Sequence, residues 1–167
     1  MRIGITGTPG TGKTTVAKIL SERLGLPVYN ITDVVKKGSL HQGFDEEREA
    51  FVVDIEKLRN FFSDKDNFIV EGLIAHYIPC DIMIVLRARP EIIRERLKSR
   101  KYSKEKIEEN VEAERIAFCA TESFENFDGK VFIHIDTTDR TPEKIVDVII
   151  EGIESGGLIE EIDWLEG

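Results

Sequence analysis

The chain has 167 residues, 41% of them hydrophobic, and a formal net charge of −9, which suits one domain with a sizeable core. An acidic balance argues against a general nucleic-acid binder, which needs a basic face to displace counterions, and no apolar run approaches the ~20 residues that cross a bilayer. Cys80 and Cys119 stand far apart without C-x-x-C spacing, so neither a zinc site nor a disulfide framework is indicated, and both read as ordinary buried thiols.

Arg2-Ile3-Gly4-Ile5-Thr6 reads as a short buried strand. Gly7-Thr8-Pro9-Gly10-Thr11-Gly12-Lys13-Thr14 then fits G-x-x-x-x-G-K-[ST] at every defined position, and an amphipathic helix follows from about Gly12 to Leu24. Strand, glycine loop and helix N-terminus in that order is the context that makes the motif a phosphate site. Glycines let backbone N–H groups turn inward around phosphate oxygens, and the helix N-terminus adds unpaired N–H groups and a positive dipole end. Lys13 suits the β- and γ-phosphates, and the Thr14 hydroxyl suits Mg²⁺. A nucleoside triphosphate is the expected ligand. A strand and phosphate loop at the N-terminus leave no room for a signal peptide, so an intracellular, cytoplasmic protein is expected.

Gly25 and Pro27 stop the first helix. Val28-Tyr29-Asn30 is a brief strand, and Thr32-Asp33 offers an N-cap for a short helix through Lys37, broken at Gly38. Ser39 to Phe44 reads as loop, and Asp45-Glu46-Glu47-Arg48 opens a helix reaching Phe62. Phe68 to Glu71 and Asp81 to Leu86 are apolar runs of strand length. Pro90 starts a helix ending near Arg100, and Ser103 caps another running toward Phe124. Lys130 to Ile135 is a last strand, and Pro142 starts the last long helix. Continuous apolar strands alternating with helices predict an α/β fold, a parallel sheet of five strands covered on both faces.

Open α/β sheets place ligands at the C-terminal ends of their strands. Glu71 closes the third strand, where a carboxylate can hold Mg²⁺ or its waters together with Thr14. Asp33 also follows a strand end, and reads equally as a helix cap or as a substrate contact. Arg87, Arg89, Arg94, Arg96, Arg100, Lys98 and Lys101 crowd into fifteen residues of an otherwise acidic chain. Arginines suit bidentate phosphate contacts and the charge that develops in phosphoryl transfer. Arg100, at a helix–loop junction, reads as such a contact; Arg89 and Lys98 read as solvated charges; Arg87 stays open between the two. Ile135 to Pro142 either wraps a nucleotide base or is a simple αβ connection, and Arg140 within it is a candidate nucleotide contact.

GTPGTGKTT, Asn30-Ile31-Thr32-Asp33, Asp45-Glu46-Glu47, Val85-Leu86-Arg87, Arg96 to Tyr102 and Glu109-Asn110-Val111-Glu112 together resemble the adenylate-kinase-like family of archaea and eukaryotic nuclei. The likeness runs to about Ile153. It implies a P-loop NTPase of nucleoside-monophosphate-kinase type, with ATP at Gly10, Thr11, Gly12, Lys13, Thr14 and Thr15 and with Mg²⁺. It also implies a monophosphate-binding segment between about Asn30 and Val53 and a short lid near Ser99 to Glu109 that carries Arg100. Lys13, Arg100 and Glu71 would be catalytic, with Asp33 and Arg87 facing AMP or ADP. The family is further described as having ATPase activity and assisting small ribosomal subunit maturation by binding a ribosomal protein.

The chain departs from the family in one place. An Asp-x-His pair usual after the third strand is replaced by Glu71-Gly72-Leu73, which puts ATP hydrolysis by water in more doubt than transfer to a nucleotide. His76 lies about one helical turn on and reads either as a partial replacement for that imidazole or, preferably, as a surface side chain without a role. The acidic, apolar tail from Gly156 to Gly167 lies outside the clear match. Two classes of function stay open: an ATP:AMP phosphotransferase, or a related kinase for another nucleoside monophosphate or small hydroxyl acceptor, and an ATP-switched assembly factor whose acidic surfaces bind a basic ribosomal protein.

Overall fold

The computed structural model describes residues 1–45 and 50–165. Its centre is a parallel sheet of β1 (Arg2–Thr6), β2 (Val28–Asn30), β5 (Phe68–Glu71), β6 (Ile82–Arg87), β7 (Val131–Asp136) and β8 (Leu158–Ile159), in the order β2-β5-β1-β6-β7-β8. The expected five strands are therefore six. The extra strand comes from the tail, where Leu158 and Ile159 pair with Ile133 and His134. β3 (His41–Asp45) and β4 (Ala50–Val53) form a separate antiparallel pair.

Helices cover both faces because successive strand residues point to opposite sides. Ile3, Ile5, Ile69, Ile84 and Ile133 pack with Val16, Ala17 and Leu20 of α1 (Lys13–Leu24) and with Ile145, Val146 and Ile149 of α7 (Pro142–Ser155). Phe68, Val70 and Met83 face the other way. They pack with Val35 of α2 (Ile31–Gly38) and with Leu58 and Phe62 of α3 (Ile55–Ser63). Fully burying each such side chain contributes roughly 1.5–3 kcal/mol. A third cluster joins Ile93 and Leu97 of α4 (Pro90–Ser99) to Ile107 and Val111 of α5 (Lys104–Arg115). The expected lid, 99–109, is thus a helix end, a turn and a helix start held to the body by apolar packing.

Several boundaries differ from expectation for local reasons. Ser39 to Phe44 is not all loop, since β3 begins at His41 and pairs with β4. The helix expected from Asp45 begins at Ile55, capped by Asp54, whose carboxylate accepts from Lys57 N–H at 3.1 Å. Glu46 and Glu47 lie outside the described residues. Asn30, not Asp33, caps α2, accepting the Asp33 N–H at 3.0 Å. Ser103 does cap α5. The helix expected to run on to Phe124 breaks at Ala117, which takes the left-handed φ of 58°, and restarts as α6 (Phe118–Asn126). Among the described residues no helix is long and apolar enough to cross a membrane.

Candidate active site

The loop between β1 and α1 lies at the C-terminal edge of the sheet, between β5 on one side and β6 on the other. Its glycines are required by space and by conformation. A Cβ on Gly7 would sit 2.6 Å from the Leu86 carbonyl oxygen, and Gly12 caps α1 at φ 94°. Thr11 closes the turn, donating its N–H and its hydroxyl to the Thr8 carbonyl at 3.2 and 2.8 Å. The first amides of α1 have no partner within the helix and form a ready anion site.

Lys13 is half-buried, and its ammonium donates to the carbonyls of Gly7 at 2.7 Å and Thr8 at 3.2 Å. Desolvation by burial lowers its pKa to about 8; the neighbouring Glu71 carboxylate opposes the fall, and Arg100 reinforces it. Arg100 is itself exposed at the end of α4, and its positive charge acts on Lys13 from there. Thr14 donates its hydroxyl to Glu71 at 3.2 Å, and Glu71 is buried where β5 ends. The Asn30 side-chain amide also donates to Glu71. A hydroxyl and a carboxylate side by side are hard oxygen donors of the kind Mg²⁺ takes alongside phosphate and water. These residues fit that ion.

Other candidates are placed differently. Arg87 is buried, pairing through Nε with Glu114 and donating from Nη2 to the Glu114 carbonyl at 3.0 Å. His134 Nε2 takes its Nη1 at 3.1 Å. Every guanidinium nitrogen of Arg87 is thus engaged in the interior, and the expected substrate contact is not among its partners here. Arg140 makes a fork-to-fork pair with Glu160 at 2.8 and 2.7 Å. Asp33 is exposed in the first turn of α2, and Thr15 is exposed in α1. Arg89 pairs with Asp139 at 3.5 Å across an exposed gap.

His76 is not a surface side chain. It is buried, its Nδ1 lies 2.9 Å from the Thr6 hydroxyl, and its Nε2 lies 2.6 Å from Glu122. Thr6 also touches Cys119 Sγ at 3.2 Å, and burial pushes the Cys119 thiol upward, as expected of an inert thiol. Cys80 is likewise buried. Leu73, at the position where the resemblance leads to an expected imidazole, is 48% exposed. Two contacts escaped sequence reasoning: Arg96, which donates to the Gly10 carbonyl at 2.7 Å, and Asn30 on Glu71. The four-residue spacing of Arg96 and Arg100 was the available signal for the first; a strand-end Asn carried none for the second.

The sheet order, the glycine loop at the N-terminus of α1 and the carboxylate at the end of β5 define a P-loop fold of the nucleoside-monophosphate-kinase type. A shikimate kinase from Acinetobacter baumannii has this fold, with a TM-score of 0.68 at 16% identity over 92% of this chain and 93% of its own. The family described as "AAA domain" matches residues 3–117. A protein of Methanocaldococcus jannaschii named "Putative adenylate kinase" is 45% identical over 99% of this chain and 94% of its own length. One of the same name from Methanococcus maripaludis is 41% identical over 99% and 96%. The chain belongs to this adenylate-kinase-like family of P-loop nucleotide kinases.

Proposed function

We propose that the protein transfers the γ-phosphate of MgATP to AMP, giving two ADP. The observation that carries this reading is the meeting of Lys13, Thr14 and Glu71 at one end of the sheet, in a chain 45% identical to a protein with an adenylate kinase name. Loop amides and Lys13 would hold the β- and γ-phosphates, with a third ammonium N–H left after those given to Gly7 and Thr8. Thr14 and Glu71 would hold Mg²⁺, which neutralises phosphate charge when bound. Exposed Arg100 would follow the charge that develops on the transferred group. No protein base is needed, since positioning and electrostatics carry most phosphoryl transfer.

A coupled assay with ATP as donor and AMP, dAMP, CMP, UMP and GMP as acceptors tests this. The highest kcat/KM should fall on AMP or dAMP. A preference for CMP, or no transfer to any monophosphate, would sink the adenylate kinase reading. The net charge of −9 and exposed Glu105 and Glu109 on α5 favour a second role. In it, the protein is an ATP-switched assembly factor that binds a basic small-subunit ribosomal protein. It calls for ATP hydrolysis without acceptor to match or exceed turnover with AMP.

A further inference from the structure

The C-terminal segment is tied into the side of the site opposite Glu71. β8 lies against β7, and the Glu160 N–H continues that pairing to the His134 carbonyl at 3.0 Å. The Glu160 carboxylate then takes three donors at once: both terminal nitrogens of Arg140, and the Asp136 N–H at 2.8 Å. Arg140 Nη1 also donates to the Asp136 carbonyl at 2.9 Å. One carboxylate from outside the β7–α7 loop therefore clamps both of its ends, residues 136 and 140. The middle of the same loop reaches the phosphate loop, where the Thr137 hydroxyl lies 3.2 Å from the Thr11 carbonyl.

Arg96 approaches the neighbouring Gly10 from α4, so Gly10 and Thr11 are flanked by the clamped loop and by α4. A nucleotide whose phosphates occupied the amides from Gly10 to Thr15 would find Asn30 and Glu71 on one side and, on the other, the clamped loop with the cavity beside Asp136, Asp139 and Arg140. Trp164, the chain's sole tryptophan, lines this cavity with Asp136, Asp139, Arg140 and Glu160. Its Nε1 is buried without a hydrogen-bond partner among the described residues.

We propose that Glu160 is a positioning residue for the donor-nucleotide base: it fixes the 136–140 loop in the shape that receives the base, and makes the tail part of the ATP site. This rests on the nucleotide-kinase reading above. The test uses the full chain and two probes that share phosphates but differ in the base, ATP and inorganic tripolyphosphate, each titrated by calorimetry without acceptor. Trp164 emission follows the ATP titration independently. Glu160→Gln should weaken ATP about tenfold or more, the scale of a lost charged hydrogen-bond pair, and leave tripolyphosphate affinity unchanged. In turnover, KM for ATP should rise while kcat at saturating ATP holds.

Arg140→Gln should show the same selective loss, and the double variant should lose little more than either single one, because both act through one clamp. Equal losses of ATP and tripolyphosphate would assign Glu160 a general structural role and overturn the proposal. Unchanged ATP affinity would overturn it as well, as would wild-type protein that holds tripolyphosphate as tightly as ATP. Absence of AMP turnover in wild type would instead strike the acceptor assignment, and the binding titrations distinguish the two failures.

Discussion

Replacing Lys13 by methionine separates what the site does for catalysis from what it costs in stability. Burial holds the Lys13 pKa at about 8 against an ordinary 10.5, which corresponds to roughly 3 kcal/mol of disfavoured charge at neutral pH. The side chain keeps some access to solvent, and the Gly7 carbonyl would lose its donor. These terms reduce the gain from Lys13→Met to about 1–2 kcal/mol. At 2–4 °C per kcal/mol for a domain of this size, Tm should rise by about 2–8 °C.

The pH dependence has a definite sign. Below pH 8 the lysine is charged both folded and unfolded, and the wild type bears the whole penalty. Between 8 and 10.5 the unfolded chain holds a proton the folded one has shed, so wild-type stability climbs with pH and the gap to the variant closes. Thermal unfolding of both proteins at pH 7 and pH 9.5 measures this. Turnover of the variant should meanwhile fall ~10²-fold or more. A lower Tm for the variant at pH 7, or a gap that widens with pH, would refute the reasoning. Turnover above about a tenth of wild type would remove Lys13 from the phosphate site.

Other outcomes follow from the same geometry. In the wild type, kcat/KM for ATP should decline as pH rises through about 8, because that ratio reports the free protein and the Lys13 ammonium is lost there; a flat profile to pH 9.5 would contradict the assignment. Glu114→Leu strands the buried Arg87 charge, whose side chain is only 2% exposed. It should cost about 3–5 kcal/mol, while Arg87→Met with Glu114→Leu recovers most of that in denaturant titrations; a single variant as stable as wild type would show the pair is not desolvated. Leu73→His should raise acceptor-free ATP hydrolysis more than transfer to AMP, since AMP brings a positioned nucleophile and water does not. Steady-state ADP release with and without AMP decides it, and equal changes in both rates would place Leu73 outside the chemistry.

Residues close in sequence carried the phosphate site by themselves. From Gly7 to Thr14 the glycines take backbone conformations that other residues rarely adopt, and the strand before the loop and the helix after it formed where expected. Capping chemistry was equally local, so Ser103 was legible as the start of α5. Apolar runs fixed the parallel, doubly covered sheet, because burial on both faces leaves no polar alternation. Partnership across the fold was not legible. Arg87 in an arginine-rich stretch looks like a phosphate ligand until Glu114, 27 residues on, is folded against it and excludes water. His76 looks exposed until Thr6 and Glu122 close around it. The short segment Leu158–Ile159 has too few residues to declare itself a strand, and its pairing energy comes entirely from the β7 edge it meets. Local steric and hydrogen-bonding rules act within a few residues and are written in sequence order. Which buried charge finds which partner is set by chain segments that meet only after the sheet has formed.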